Sequence, residues 1–318
     1  MLICVMMDYK ENVKEELIMK ILNFGSMNLD HVYQVPHFSL PGESLSVTEL
    51  KTGPGGKGLN QSIAMAKAGA KVYHGGCLGD GGAMLQKLLE ENGVDTSLLC
   101  PVAEAQGHAI IQVAPNGENS ILYYGGSNRC VTEAQIEATL APFTKGDLLV
   151  LQNEIVLLPE IIEKAFAKGL TILLNPSPFD EVLQQVDFGK LDWLIINELE
   201  AGFLTGSQDP DQAWEVLHGR YPRLSAVITL GGAGSRAYQV HGDKVEKVCQ
   251  DAFKVQAVDT TGAGDTFTGY FAAGLMHGDA LEICIKTAAM AAAISVTRSG
   301  AASSVPMRAE VELAMAQH

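Results

Sequence analysis

The sequence lacks most of the features that mark a secreted, zinc-binding or nucleic-acid-binding protein. Its six cysteines form no C-x-x-C pair, which indicates free thiols in a reducing cytoplasm rather than disulfides. The eight histidines show no metal-ligand spacing, so the pattern gives no support to a zinc site. Lysine and arginine total 22 against 37 acidic residues, and the net charge of −15 argues against nucleic acid or an anionic membrane surface as the main partner. An anionic substrate stays possible because local donors can bind phosphate inside an acidic protein.

The sequence also contains no fixed-period repeat or low-complexity tract, and its first residues do not resemble a signal peptide. Residues 1–18 start with an apolar stretch but continue with acidic and basic side chains and lack a small-residue cleavage site, unlike a signal peptide or membrane span. We expect an N-terminal extension there, either disordered or produced by an upstream start site, followed by one domain at 19–318. With 47% hydrophobic and 19% charged residues, this domain can bury a large core.

Short runs of Val, Ile and Leu alternate with amphipathic helical patterns along most of the chain. The runs are typical of strands buried on both faces, and the alternation predicts an α/β fold: a doubly wound, mostly parallel sheet flanked by helices. Such sheets bind ligands beyond the carboxyl ends of their strands. Polar residues and glycines collect after these runs at Asn28, Asp30, Asp80, Asn153, Glu154, Asn175, Asn197, Gly231 and Gly232.

Two segments, at about 30–52 and 106–126, interrupt the alternation because they are β-rich and contain no helical pattern. The second is typical of a hairpin that turns at Pro115-Asn116-Gly117. We predict that both segments form a small β-sheet that covers the site as a lid. Two surface hairpins without a function are the alternative.

The stretch GPGGKG at 53–58 fits the dinucleotide fingerprint G-x-G-x-x-G. A P-loop is excluded, because Lys51 stands where its first glycine should be and Gly58 replaces its magnesium-binding hydroxyl. The dinucleotide interpretation fails on context: the preceding strand belongs to the lid, and the apolar run KVYHGG that follows ends without an acid in the place that the fingerprint requires. Backbone amides, the Lys57 cation and the Asn60 amide suit a hydroxyl-rich ligand instead, with a plain glycine turn as the alternative.

A second loop, DTTGAGD at 259–265, carries a more specific signal. We predict an apolar strand that ends at Val258 and a long helix that opens at this loop. Unpaired amides and the helix dipole would form an anion hole at Gly262, Ala263 and Gly264, suited to a phosphoryl group in transfer. Asp265 beside it could accept the proton of an attacking hydroxyl. A simple helix cap is the alternative for Asp265 alone.

With these motifs the sequence resembles the ribokinase-like, or phosphofructokinase B, family of carbohydrate kinases. DTTGAGD is similar to the C-terminal signature of the family, and GGKGLNQSIAMAKAGA with GCLGD to the N-terminal one; the resemblance covers nearly all of residues 20–308. It implies ATP-dependent phosphorylation of a sugar primary hydroxyl, with ribose expected and Asp265 as general base. Three alternatives stay open: another sugar or nucleoside (deoxyribose, fructose, a keto-sugar acid), a nicotinamide oxidoreductase, or a non-catalytic sugar-binding regulator.

The resemblance also implies roles for individual positions. The sugar contacts would be Asn28, Asp30, Gly56, Lys57, Asn60, Glu154 and Asp265. The ATP and Mg²⁺ contacts would be Asn197, Glu200, Thr229, Gly231, Gly232 and Gly264. An activating K⁺ ion would be bound at Asp259, Thr261, Ser295, Arg298, Gly300 and Ser304, in part through main-chain carbonyls. The lids of two subunits would pair, giving a homodimer.

Two positions depart from the family pattern. Ala289 stands where a polar residue often packs beside the adenine, and Gln106-Gly107-His108 replaces a Thr-Gly-x pattern in the lid. His108 is either a lid surface residue or a sugar contact. These departures bear on sugar specificity and leave the phosphotransfer motif intact.

Overall fold

A computed structural model describes residues 19–317; the extension expected at residues 1–18 lies outside the described residues. The strands are β1 Ile21–Phe24, β2 Asn28–Gln34, β3 Glu49–Gly55, β4 Val72–Asp80, β5 Asp95–Ala105, β6 His108–Val113, β7 Asn119–Tyr124, β8 Leu148–Gln152, β9 Thr171–Asn175, β10 Trp193–Asn197, β11 Ser225–Thr229, β12 Ser235–His241 and β13 Lys244–Gln250. The helices are α1 Lys57–Lys67, α2 Ala83–Glu91, α3 Glu133–Leu140, α4 Leu158–Lys168, α5 Glu198–Thr205, α6 Pro210–Arg220, α7 Ala263–His277, α8 Leu281–Ser295 and α9 Arg308–Met315.

The main sheet has nine strands in the order β13-β12-β11-β10-β9-β8-β1-β4-β5. All neighbours from β11 to β5 are parallel, and β12 and β13 continue the sheet antiparallel. The chain runs outward from β1 to β4 and β5 and later returns to place β8 on the other side of β1. The strand order therefore reverses between β1 and β8, the kind of position at which doubly wound sheets bind ligands.

The apolar runs are buried on both faces of this sheet, as predicted. In β8, Leu148 and Val150 contact one core while Leu149 and Leu151 contact the other, and each is at most 1% exposed. Helices α1, α2, α7, α8 and α9 supply apolar side chains to the first core, and α3, α4, α5 and α6 to the second. In the described part of the chain, no helix combines the length and the apolar character needed to cross a bilayer.

The predicted lid is a separate four-stranded sheet in the order β3-β2-β6-β7. Strands β2 and β3 pair antiparallel, β2 and β6 pair parallel, and β6 and β7 form the hairpin expected around residues 115–117. The sheet leaves several large apolar side chains exposed, including Leu50, Ile121 and Leu122. One face of this small sheet adjoins the carboxyl edge of the main sheet through β2, which starts four residues after β1 ends.

The strand predicted to end at Val258 is absent, which corrects that expectation. Residues 251–260 form no strand, and the apolar side chains of Val255 and Val258 are 45% and 65% exposed. The amides of Val258 and Asp259 instead donate to the carbonyl oxygen of Val296, at 2.7 and 3.1 Å, just beyond α8. The segment is thus held by the end of a helix rather than by a neighbouring strand.

Candidate active site

The first glycine loop is attached to the main sheet at the point where the strand order reverses. Glu154 follows β8, and its carboxylate accepts hydrogen bonds from the Ser26 hydroxyl after β1 and from the Lys57 amide, the latter at 3.0 Å. Gly56 precedes α1 with φ 95°, and a Cβ there would lie 3.0 Å from the amide nitrogen of Asn28. Only glycine fits this turn, and the turn directs the start of α1 at the sheet edge.

A group of polar side chains lies where the lid meets the sheet. The Asn28 side-chain oxygen accepts a 2.7 Å hydrogen bond from the Asn128 amide, which also lies 3.4 Å from the Tyr123 hydroxyl. Asp30 lies two residues farther along β2, and the strand register places it on the same face of the lid as Tyr123, through Ala109. These groups form a surface rich in hydrogen-bond acceptors.

Burial and mutual electrostatic interaction shift the pKa values of three charged side chains in this region, Asp30, Glu154 and Lys57. Burial, followed by the nearby Glu154 carboxylate, raises the pKa of Asp30 to about 6. Burial also raises the pKa of Glu154, against hydrogen bonds from Ser26 and Lys57 that lower it. Desolvation acts to lower the pKa of Lys57, but the charges of Asp265, Glu154 and Glu200 outweigh it and raise this pKa. The Lys57 ammonium therefore stays charged among the carboxylates.

Asp265 lies in the first turn of α7, is 7% exposed, and is held by two amides from α1. Its Oδ2 accepts from Asn60 Nδ2 and its Oδ1 from Gln61 Nε2, each at 3.0 Å. Helix α7 packs against α1, and one turn after Asp265 the contact is at Gly269, where a Cβ would run into the backbone of α1. The close approach at Gly269 brings both amides within reach of the carboxylate.

The backbone before Asp265 supplies donors for an anion. Gly262 adopts φ 73°, and a Cβ there would run into Ala301, whereas a Cβ on Gly264 would meet no atom within 4 Å. Packing therefore requires glycine at position 262 but not at 264. The amides of Gly264 and Asp265 have no acceptor within residues 19–317. The Ala263 amide donates to the Thr260 carbonyl at 3.2 Å, so the expectation of an unpaired donor at Ala263 is wrong.

A cavity of about 180 Å³ joins these parts. Asp265, Lys57 and the Gly262–Gly264 loop line it, together with residues at and just beyond the carboxyl ends of strands β9, β10 and β11. Asn197 and Glu200 contribute through a reciprocal cap of α5: the Glu200 amide donates to Asn197 at 2.9 Å, and the Asn197 amide to Glu200 at 3.0 Å. Glu200 is buried, and only its Oε2 takes part in this cap, so Oε1 remains available to a ligand.

Thr229 lines the cavity, while Gly231 and Gly232 lie on an exposed turn and do not line it. The residues predicted for a monovalent cation lie at the end of α8 and in the loops beside α7 and α8. The Asp259 carboxylate accepts from the amides of Thr261 and Gly300 at 2.9 and 2.8 Å. Hydrogen bonds, first from the Thr261 side chain and then from Gly300, lower the pKa of Asp259.

Other members of the predicted cation set have different partners. The Arg298 guanidinium pairs with Glu310 at 2.6 Å, and the hydroxyls of Ser295 and Ser304 each donate to a nearby main-chain carbonyl at 2.8 Å. A cation in these loops would therefore depend on Asp259 and on carbonyl oxygens rather than on these side chains.

Several site residues were not singled out from the sequence, namely Gln61, Tyr123, Asn128 and Ser177, and Ser26 stands out only as a polar residue after the first strand. The only sequence signal for Ser26 is that position. The only signal for Gln61 is its position next to Asn60. His108 lies on the opposite face of the lid from Asp30, with its ring 5.9 Å from His31 and 5.0 Å from Tyr124. That placement favours the lid-surface interpretation of His108.

A doubly wound sheet, a small lid at its carboxyl edge and an aspartate beside free helix-start amides together define a small-molecule phosphotransferase. Residues 19–308 match the model of the pfkB family of carbohydrate kinases, and the chain belongs to that family. It is 36% identical to the ribokinase of Haemophilus influenzae over 296 residues, which covers 90% of this chain and 95% of that protein.

Two solved structures are similar over nearly the whole chain. The ribokinase of Cryptococcus neoformans in complex with ADP is 35% identical with a TM-score of 0.82, over 93% of this chain and 99% of that one. The ribokinase of Arabidopsis thaliana complexed with ribose and ATP is 28% identical with a TM-score of 0.82, over 93% and 97% of the two chains. These neighbours confirm the predicted fold and its lid.

Proposed function

We propose that this kinase transfers the γ-phosphoryl group of ATP to the primary hydroxyl of D-ribose, giving ribose 5-phosphate and ADP. The observation that carries the proposal is the placement of the Asp265 carboxylate, which lines the same cavity as the unpaired Gly264 amide and Lys57. The relatives that act on or bind ribose support the choice of sugar.

The sugar binds where the lid meets the sheet, against Asn28, Asp30, Glu154 and the glycine loop at Gly56 and Lys57. Such a site discriminates because each buried polar group left without its hydroxyl partner destabilises the complex by about 1–3 kcal/mol. Asn60 supports this location because it adjoins Asp265, to which its amide donates: the residue is 6% exposed, and its side-chain oxygen has no partner within residues 19–317. A sugar hydroxyl would satisfy that oxygen.

Asp265 acts as the general base. It accepts the proton of the primary hydroxyl as that oxygen forms a bond to the γ-phosphorus and the bond to the β-phosphate oxygen of ATP breaks. Its two oxygens each accept one amide N–H, which fixes the carboxylate plane and leaves lone pairs free toward the cavity. The Gly264 amide, the start of α7 and the Lys57 ammonium stabilise the charge on the transferring group.

ATP occupies the cavity bounded by Asn197, Glu200 and Thr229, with Gly231 and Gly232 at its outer end. The nucleotide phosphates would hold Mg²⁺ with Glu200 nearby, because no group of three or more His, Cys, Asp or Glu residues in the described chain is arranged to hold a metal by itself. Buried Glu200 fits a magnesium that retains its waters. Bound Mg²⁺ would neutralise charge on the β- and γ-phosphates.

A monovalent cation, K⁺ by resemblance, binds the loops that follow β13 and α8. The lowered pKa of Asp259 keeps its carboxylate anionic beside the carbonyl-rich turns at Thr261, Ser295, Arg298, Gly300 and Ser304. The turn at Thr261 leads directly into the 262–264 loop, and Ala301 in the other segment packs against Gly262, so a cation here would stabilise the anion hole.

The lid closes over the bound sugar to exclude water as a competing acceptor, and it pairs with the lid of a second copy. Exposed Leu50 and Leu122 lie on the face of this sheet opposite to Asp30, and they supply an apolar surface for such a homodimer. The cytoplasmic location expected from the free thiols stays a prediction.

The proposal is tested by a sugar panel assayed for ADP release with ATP and Mg²⁺, with and without K⁺. The panel contains ribose, deoxyribose, fructose, adenosine and a keto-sugar acid, and mass spectrometry and NMR locate the phosphate on the product. We expect ribose to have the highest kcat/KM, and deoxyribose to fall below it by about 10- to 100-fold because one buried group loses its partner. A higher kcat/KM for any other compound, or no ADP release with any of them, contradicts the proposal.

A further inference from the structure

We infer that Gln61 is a positioning residue that aims the Asp265 carboxylate, and that a network of buried amides crossing the main sheet holds Gln61 in turn. The inference rests on the proposed role of Asp265 as the base. Gln61 is fully buried and does not line the cavity, so it acts through Asp265 rather than on the substrate.

The side chain of Gln61 joins the helix layer to the sheet. Its Nε2 donates to Asp265 Oδ1 and to Asn175 Oδ1 at the end of β9, each at 3.0 Å. Its Oε1 accepts from Gln152 Nε2 at the end of β8 at 2.7 Å. Three hydrogen bonds to two strands and one helix thus determine where the amide lies.

The direction of the Gln61 amide is set by groups farther away. Gln152 Nε2 also donates to Asn23 Oδ1 in β1 at 2.9 Å, while Asn23 Nδ2 donates to the Gly58 carbonyl at 2.6 Å and to the Ser62 hydroxyl at 2.7 Å. Because Asn23 directs both its N–H groups toward α1, its oxygen faces Gln152. The amide nitrogen of Gln152 must then donate to both Asn23 and Gln61. The side-chain oxygen of Gln61 therefore faces Gln152, and its amide nitrogen is left to donate to Asp265.

The far end of the network fits the same direction. Ser62 accepts from Asn23 and lies 2.8 Å from Nδ1 of fully buried His74. Burial lowers the pKa of His74 to about 4, so the ring is neutral and Nδ1 can accept a hydrogen bond from the Ser62 hydroxyl. Gln152 leaves its own Oε1 without a partner in the described residues. The hydrogen bonds to Asn23 and Gln61 therefore fix the Gln152 amide even though its own oxygen is left without a protein partner among residues 19–317.

The consequence for catalysis follows from where these groups lie. Asn23, Gln152 and Asn175 belong to rigid central strands, so Gln61 ties the base to the sheet whose edge binds the sugar. Without it, Asp265 would be oriented by its own helix and by Asn60, which also serves the substrate. A misplacement of about 1 Å in a reacting group lowers turnover by about 100-fold.

The test compares Gln61→Met with wild type, Asp265→Asn and the control Gln135→Met. Gln135 is a buried glutamine bonded to Gly76 and Cys77, so its replacement also removes a buried amide but does not touch Asp265. For Gln61→Met we expect kcat to fall by about 10- to 100-fold while sugar Kd by calorimetry stays near wild type. The acid limb of its kcat–pH profile should move to higher pH, because a donated N–H favours the ionised carboxylate. Gln135→Met should show neither change.

Wild-type kcat and an unshifted acid limb in Gln61→Met, with turnover lost in Asp265→Asn, would overturn the inference and leave the proposed function standing. Retained turnover in Asp265→Asn would overturn the proposed function itself. If Gln61→Met does not fold, Gln152→Met is tested in its place. That substitution removes the hydrogen bond from Gln152 to the Gln61 oxygen and so leaves the Gln61 amide less firmly held. A fall in kcat with a shifted acid limb in Gln152→Met then supports the inference, and an unchanged profile overturns it.

Discussion

Sugar binding should depend on pH near 6 because of Asp30. Burial and the Glu154 carboxylate raise the pKa of Asp30 to about 6, and sugar hydroxyls that donate hydrogen bonds favour its ionised form. Protonation of the free enzyme then competes with binding, and the apparent Kd is multiplied by 1 + 10^(pKa − pH). The sugar Kd should rise by about tenfold between pH 8 and pH 5.

The same shift has a consequence for stability, and its sign is opposite to that of a salt-bridged aspartate. The pKa of Asp30 is raised from 3.8 to about 6, so its contribution to stability is present below pH 3.8 and is lost as the pH rises through about 6. A shift of about two pH units corresponds to about 3 kcal/mol at most, and solvent screening of this partly exposed group reduces it to about 1–2 kcal/mol. Asp30→Asn should therefore raise the free energy of unfolding at pH 8 while weakening sugar binding.

Calorimetric titration of ribose into the wild type, Asp30→Asn and Asp80→Asn, from pH 5 to pH 8, measures both effects when combined with denaturant unfolding. Asp80 is the matched control because it is an exposed carboxylate at the end of β4. The wild type and Asp80→Asn should show the pH dependence, and Asp30→Asn should bind weakly and without it. A wild-type Kd that does not change between pH 5 and 8, or a dependence that persists in Asp30→Asn, would refute the reasoning.

Three further predictions follow from single features of the site. Gly264→Ala should leave thermal stability near wild type, since a Cβ there meets no atom. It should raise the KM for ATP about tenfold or more in steady-state kinetics, because the methyl group enters the anion hole. An unchanged KM contradicts this prediction. Tyr123→Phe should raise the sugar KM about 2- to 10-fold with little change in kcat, because one neutral hydrogen bond to the Asn128 group is lost; a change confined to kcat would exclude that role. Replacing K⁺ by tetramethylammonium should lower kcat severalfold in the wild type but not in Asp259→Asn. An equal ratio of kcat with K⁺ to kcat with tetramethylammonium in the two proteins would contradict the cation site.

The strands and the lid could be predicted because each depends on a local pattern. Runs such as LLVLQ at 148–152 are buried on both faces of the sheet, and the hairpin around residues 115–117 contains its own turn residues. The DTTGAGD loop could be placed at a helix start for the same reason. Each of these patterns specifies its strand, turn or helix start within a few consecutive residues.

The remaining features depend on contacts between residues far apart in the sequence. Gln61 meets Asp265 across 204 positions and Asn128 meets Asn28 across 100, and no local pattern reports such pairs. The strand predicted up to Val258 failed for a related reason: β-forming side chains produce a strand only where a neighbour offers backbone partners. Here the backbone at Val258 is bonded to the carbonyl of Val296 instead.

The central claim is that Asp265 is the base that activates the sugar hydroxyl. The most direct measurement is kcat for Asp265→Asn with ribose and ATP, together with ribose Kd by calorimetry on the same preparation. The account predicts a fall in kcat of about 10²–10⁴, or about 3–5 kcal/mol of transition-state stabilisation, with ribose binding largely kept. Turnover near the wild-type rate in this variant would contradict it.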